Sequence, residues 1–111
     1  MTGRTIAEKI IGRAAATSEA RAGEVLEAYP DLLMSHENTY LVGKAFREIG
    51  AKRLYDHDRV AVILDHRTPA NTVETASAHS QIRKLVKDLG IKHFYDVGTG
   101  ICHQVDRKSV V

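Results

Sequence analysis

At 111 residues, with 43% hydrophobic and 27% charged side chains, the chain has the size and composition of a single soluble domain. Its 16 basic and 14 acidic residues leave a formal charge of +2, too balanced for nucleic acid or an anionic membrane to be the main partner. The single cysteine excludes an internal disulfide and any iron–sulfur cluster held by this chain's thiolates alone. With 5% aromatic residues and no Trp, recognition of single-stranded nucleic acid by stacking is not expected. No apolar run approaches the roughly 20 residues of a membrane helix. Met1 to Thr5 lacks the apolar core of a secretion signal, so the cytoplasm is the default location.

In chain order, Thr5-Ile6-Ala7-Glu8 reads as a capping box that opens a helix. Ile6, Ile10 and Ala14 recur at helical spacing, with Ala7 and Ile11 beside them, and the helix is expected to end between Ala14 and Thr17. Residues 18–23 read as a loop and 24–28 as a weak strand, closed by Tyr29-Pro30-Asp31. A short apolar run, Leu32-Leu33-Met34, leads into Ser35-His36-Glu37-Asn38-Thr39, where Ser35 or Asn38 could cap the next helix. Leu41, Val42, Ala45, Phe46 and Ile49 are expected to form its apolar face, with Gly50 as its stop.

Val60 to Leu64 is five apolar residues in a row, the pattern of a strand buried on both faces. Asn71-Thr72-Val73-Glu74 starts a long helix whose expected stripe is Val73, Ala76, Ile82, Leu85, Val86 and Leu89, ended by Gly90. Ile91 to Tyr95 reads as the next strand. Strand, crossover helix and strand make a βαβ unit, so the fold class is α/β with a partial parallel sheet. Residues 106–111 continue none of these patterns and are expected to be irregular or disordered.

In an open parallel sheet, ligands sit beyond the carboxyl ends of the strands. Asp65 and His66 fall there after the central strand, and His103 follows the Gly98-Thr99-Gly100 segment after the last strand. An Asp beside a His can fix the imidazole tautomer and raise its pKa, giving a usable general acid. An isolated Asp-His pair is more often solvated or capping than catalytic. His57 and His93 read as exposed, and His79 as either packed or facing water. Cys102 reads as a small buried hydrophobe rather than a nucleophile. No set of zinc ligands at recognisable spacing is present, and Gly98-Thr99-Gly100 is too short for a dinucleotide fingerprint.

Four segments in order carry more than composition does: Thr5-Ile6-Ala7-Glu8-Lys9-Ile10, Ser35-His36-Glu37-Asn38-Thr39, Leu64-Asp65-His66, and Phe94 through Gln104. Together they resemble the aconitase superfamily, and within it the start of a 3-isopropylmalate dehydratase or homoaconitase large subunit, over about residues 3 to 105. Dimethylmalate dehydratases look similar. The resemblance implies the N-terminal portion of an aconitase-like domain over residues 1–105, with 106–111 as a tail outside the family pattern. It implies an iron–sulfur hydro-lyase that isomerises a hydroxy-carboxylate by dehydration and rehydration, a [4Fe-4S] cluster in the parent enzymes, and leucine biosynthesis as the setting. Residue by residue, Asp65 and His66 match the pair that assists protonation of the departing hydroxyl. His103 matches a histidine at the active-site edge, His36 a polar substrate-contacting position, and Thr39 belongs to the same motif.

The departures from that pattern are equally informative. The cluster-binding cysteines are absent, Cys102 stands where relatives carry an aliphatic residue, and the segment expected after His103 is missing. This leads to the expectation of a truncated piece, inactive alone and carrying no cluster, whose partners would be the downstream domains, a small subunit and a small hydroxy-carboxylate. Iron- and sulfide-dependent turnover of isopropylmalate by the 111 residues would refute it. Two other readings compete: a stand-alone small-anion or metal-binding module using His36, His66, His103 and perhaps Cys102, and a self-associating structural piece.

Overall fold

The computed structural model describes residues 3–109, which divide into two compact units at Asp31/Leu32. In the first, helix α1 (Ile6–Ala14) begins at the expected capping box: the Glu8 amide donates to the Thr5 hydroxyl, and the Thr5 amide donates to the Glu8 carboxylate at 2.8 Å. Glu8 also accepts from the Ala22 amide, which folds the following loop back onto the helix start. Gly12 is buried because the chain returns across it, and a Cβ there would lie 2.7 Å from the Thr17 carbonyl oxygen. The strand expected at 24–28 does not form. Val25 is fully exposed, and among the described residues the segment finds no strand partner to satisfy its backbone; directly after it, the Tyr29 amide donates to the Ala14 carbonyl at the end of α1.

The second unit is a three-stranded, all-parallel sheet in the order β1-β2-β3, with β1 Leu33–Ser35, β2 Val60–Ile63 and β3 His93–Tyr95. Met34 pairs with Ala61 across the first ladder, and Val62 with Phe94 across the second. Helices α2 (Thr39–Glu48) and α3 (Val73–Leu89) make the two crossovers, and α4 (Cys102–Ser109) follows β3. The α/β class and the βαβ units are as expected from the sequence. The centre of the core is β2 with Leu64 directly after it, whose side chains alternate between two apolar clusters. Val62 and Leu64 pack with Ile82, Val86 and Ile91, while Ile63 packs with Cys102 and Val105. Both faces of β2 are thus covered, which is why its sequence is continuously apolar.

Four expectations change. The Leu32-Leu33-Met34 run yields a strand, β1, shifted to end on Ser35. Leu41, Val42 and Ile49 of α2 are exposed; the buried positions of that helix are Thr39 and Gly43. Gly43 lies against Leu85 of α3, so closely that a Cβ would stand 2.5 Å from a Leu85 methyl, and a small residue rather than an apolar stripe sets this helix contact. In α3 the stripe holds over Ile82, Leu85 and Val86, but the first two turns bury Thr75 and His79 while Val73 is exposed. Finally, α4 continues through residues 106–109, where irregular chain was expected; the expectation for 110–111 lies outside the described residues.

Candidate active site

Parallel pairing places the carboxyl ends of all three strands along one edge. His36 and Glu37 follow β1, Asp65 and His66 follow β2, and the Asp96–Ile101 turn that leads into α4 follows β3. The last of these is tied down by α3. Arg83 donates to both Asp96 oxygens, at 2.7 and 2.8 Å, and Asp96 accepts in addition from the Val97 amide. The guanidinium holds the Asp96 carboxyl below its ordinary value, against a smaller opposing effect of burial. Gly98, at φ +88°, supplies the turn conformation that a side chain would oppose.

Asp65 joins two of these segments. One carboxylate oxygen lies 2.6 Å from His66 Nδ1, and the other accepts from the Cys102 amide at 2.6 Å, at the start of α4. Its side chain is 7% exposed. Burial alone would raise the Asp65 pKa; the Cys102 amide and His66 outweigh it, and the group lies below the carboxylate norm. The imidazole of His66 responds in the opposite sense. The Asp65 hydrogen bond raises its pKa, desolvation opposes this, and the charges of Asp65 and then Glu37 add to the rise. With Nδ1 engaged, Nε2 is the nitrogen left to act. His66 also lines a cleft of about 500 Å³ shared with Arg67, Thr68, Asn71 and Thr72, the last being the N-cap of α3.

The remaining expected site residues fall as follows. His36 stacks on His66, with ring centroids 4.0 Å apart and planes within 14°. Thr39 is buried, and its hydroxyl donates to the His36 carbonyl while lying 2.7 Å from the Ser35 hydroxyl, so within this chain it fixes the turn that presents His36. His103 is one residue beyond the amide that Asp65 accepts from, and is exposed; its ring makes no hydrogen bond or ion pair among the described residues. The structure therefore brings His36, Asp65 and His66 into contact and leaves the His103 ring apart. The sequence did not single out Glu37. It is 6% exposed, accepts from the Arg67 amide at 2.8 Å and lies near three histidines. The only signal was an acid directly after His36.

Among the described residues, two groups of donor atoms converge closely enough to raise the question of a metal: His36, Glu37 and His66, and Asp65, His66 and Cys102. Neither suits one. Imidazole lone pairs lie in the ring plane, and an ion shared by two parallel rings 4.0 Å apart would sit outside both planes. In the second group both Asp65 oxygens are already engaged, and burial, followed by the hydrogen bond to Asp65 and then that group's charge, pushes the Cys102 thiol pKa up. An iron–sulfur cluster needs thiolates. The one cysteine here is 2% exposed and held in its protonated form, so the residues of this chain do not fit such a cluster.

The chain is thus a parallel α/β layer with an Asp-bound imidazole at its carboxyl edge beside a polar cleft. Comparison with known proteins narrows this. No family model matches the chain. It is 42% identical over 102 residues to the probable 3-isopropylmalate dehydratase large subunit of Methanothermobacter thermautotrophicus, covering 91% of this chain and 24% of that protein. It is 41% identical over 104 residues to the 3-isopropylmalate dehydratase large subunit 1 of Methanopyrus kandleri, covering 93% and 25%. To the probable methanogen homoaconitase large subunit of Methanothermobacter thermautotrophicus it is 36% identical over 110 residues, covering 95% and 26%. The chain spans about a quarter of the length of the curated relatives it matches. At 36–42% identity over 91–95% of this chain, these relatives are 3-isopropylmalate dehydratase and homoaconitase large subunits. No helix among the described residues is long and apolar enough to cross a membrane.

Proposed function

We propose that this chain supplies the proton-donating part of a hydro-lyase site that dehydrates and rehydrates a hydroxy-dicarboxylate of the isopropylmalate kind, as a step of leucine biosynthesis in the cytoplasm. The observation that carries the reading is the 2.6 Å Asp65–His66 pair at the carboxyl edge of the sheet, with His66 lining a polar cleft. Loss of hydroxide from carbon is slow because the leaving group is a strong base; protonation as the bond breaks turns it into water. His66 is suited to this. Asp65 holds Nδ1–H and favours the imidazolium, so Nε2–H is the proton delivered. In the reverse direction the same nitrogen, now neutral, accepts a proton from the incoming water. Arg67 and the N-terminus of α3 give the cleft positive character suited to a substrate carboxylate. His36 and His103 would contact substrate from the flanking segments, with Thr39 holding His36 in place.

The other parts of the site would come from the rest of a large subunit and from a small subunit, as the relatives' names imply for them. The [4Fe-4S] cluster of the parent enzymes would be held there as well, since the residues here do not suit it. These 111 residues alone are therefore expected to turn over no substrate; iron- and sulfide-dependent turnover by the purified chain would overturn that. The binding half is tested by titrating the isotope-labelled chain with 3-isopropylmalate. Saturable shifts at His66, Arg67 and Thr72 are expected, weakened in His66→Asn. Shifts confined to other surfaces would refute the reading.

A further inference from the structure

Among the described residues of this unit, three buried side-chain polar atoms lack a hydrogen-bond partner: His36 Nδ1, Glu37 Oε2 and His79 Nε2. All three belong to one arrangement. Glu37 Oε2 lies 3.6 Å from His36 Nδ1 and 3.7 Å from His66 Nδ1, and Oε1 lies 3.8 Å from His79 Nε2. A buried carboxylate and three imidazoles thus meet where β1, β2 and α3 converge. Burying a charge is costly unless partners compensate it, and a glutamate at a turn with no role beyond packing would be better replaced by an amide. Here the charge is retained. Burial, the largest effect, opposes it, but the amides of Arg67, of Glu37 itself and of His66 together outweigh burial and hold the carboxyl below its ordinary value.

We propose that Glu37 is a positioning residue of this site, whose buried carboxylate holds the His36–His66 stack and the Arg67 turn together and keeps a second negative charge behind the His66 ring. Two anions then face His66 Nδ1: Asp65 in direct contact at 2.6 Å, and Glu37 at 3.7 Å. Asp65 fixes the ring's tautomer. Glu37 acts on what Asp65 cannot reach: it sets where His66 sits relative to His36, because both Nδ1 atoms are drawn to the same oxygen, and through Oε1 it fixes the backbone at which the chain turns into the cleft. The titratable groups facing Glu37 are His36 from its own turn, Asp65 and His66 from the segment after β2, and His79 from α3. Among the described residues none of them is a lysine or arginine side chain, so the balance among these groups rests on the histidines. The inference rests on the reading of His66 as the acid for its consequence in turnover, but the arrangement itself is measurable without substrate.

The experiment is a pH titration of the His66 ring by NMR in the whole chain, wild type against Glu37→Gln. Gln keeps the volume and the acceptor for the Arg67 amide, and removes the charge. An opposite charge within about 4–6 Å moves a pKa by roughly 1–3 pH units; with His66 half exposed and screened, the expected fall in its midpoint is about half a pH unit. A folded Glu37→Gln chain with an unchanged His66 midpoint would overturn the proposal and leave Glu37 as packing only. A second measurement does not depend on the variant folding. In the wild-type chain the Glu37 carboxyl carbon resonance should move through the same midpoint as the His66 ring, and a flat response there would equally overturn the proposal. No substrate is present, so failure of the hydro-lyase reading would appear as absent isopropylmalate binding with these titrations intact.

Discussion

Asp65→Asn separates the two tasks that the structure gives to one carboxylate. With its Oδ1 facing the Cys102 amide, the asparagine still accepts from α4, but as a neutral acceptor. A hydrogen bond to a charged group is worth about 1.5–3 kcal/mol and a neutral one about 0.5–1.5 kcal/mol, so the start of α4 should lose about 1–1.5 kcal/mol. The amide nitrogen then faces His66 Nδ1, which can accept only when the ring is neutral there, and the mid-range imidazolium loses its main support. The sign of the pH dependence follows. Asp65 has a folded pKa below its ordinary 3.8, so its contribution is present above that value and is lost as pH falls through the folded one. His66 has a folded pKa above its ordinary 6.5, so its contribution is full below 6.5 and is lost as pH rises through the folded value. The deficit of Asp65→Asn should therefore be largest between these two limits and shrink on the alkaline side to the α4 part alone. Urea denaturation across that range, with the His66 ring followed by NMR, reads both effects. A deficit that does not vary with pH, or a His66 midpoint that does not fall in the variant, would refute the reasoning.

Gly12→Ala should destabilise the first unit even though alanine favours helix by about 1 kcal/mol, because the new Cβ meets the Thr17 carbonyl oxygen and overpacking costs about 1–3 kcal/mol; faster amide exchange over α1 alone is the expected reading. Ile82→Ala opens a cavity at a fully buried contact with β2 and should cost about 2–5 kcal/mol, a large part of the stability of a domain this size, measured as the urea midpoint of the second unit. Cys102, buried and with its thiol pKa raised, should resist alkylation at neutral pH until the second unit opens, so that urea and labelling midpoints coincide.

The parts of this structure that were legible in the sequence are those with a long or doubly constrained signal. Val60 to Leu64 has the pattern of a strand covered on both sides, the Thr5 cap announces α1 by a side chain whose chemistry is local, and the box read at Asn71–Glu74 announces α3, whose cap is Thr72, one residue later. What stayed hidden depends on neighbours far along the chain. Three residues suffice for β1 because β2 supplies its ladder, whereas 24–28, no weaker in composition, finds no ladder to join. The buried side of α2 is set by Gly43 against Leu85, a close approach that no apolar periodicity encodes. In the site, Asp65 and His66 were readable as adjacent residues at a strand end, but the second bond of Asp65 reaches 37 residues along to Cys102, and the environment of Glu37 is assembled from three separate segments.

The role proposed for His66, held by Asp65, is to deliver the proton in a hydro-lyase site completed by other chains or segments. It is tested most directly by reconstituting the full chain with a relative's large subunit lacking its matching first quarter, together with that relative's small subunit, and following dehydration of 3-isopropylmalate. Activity is expected with the wild-type chain, and a loss of about 10²–10⁴-fold with His66→Asn, the range of a lost general acid. Equal activity from the two chains would contradict it.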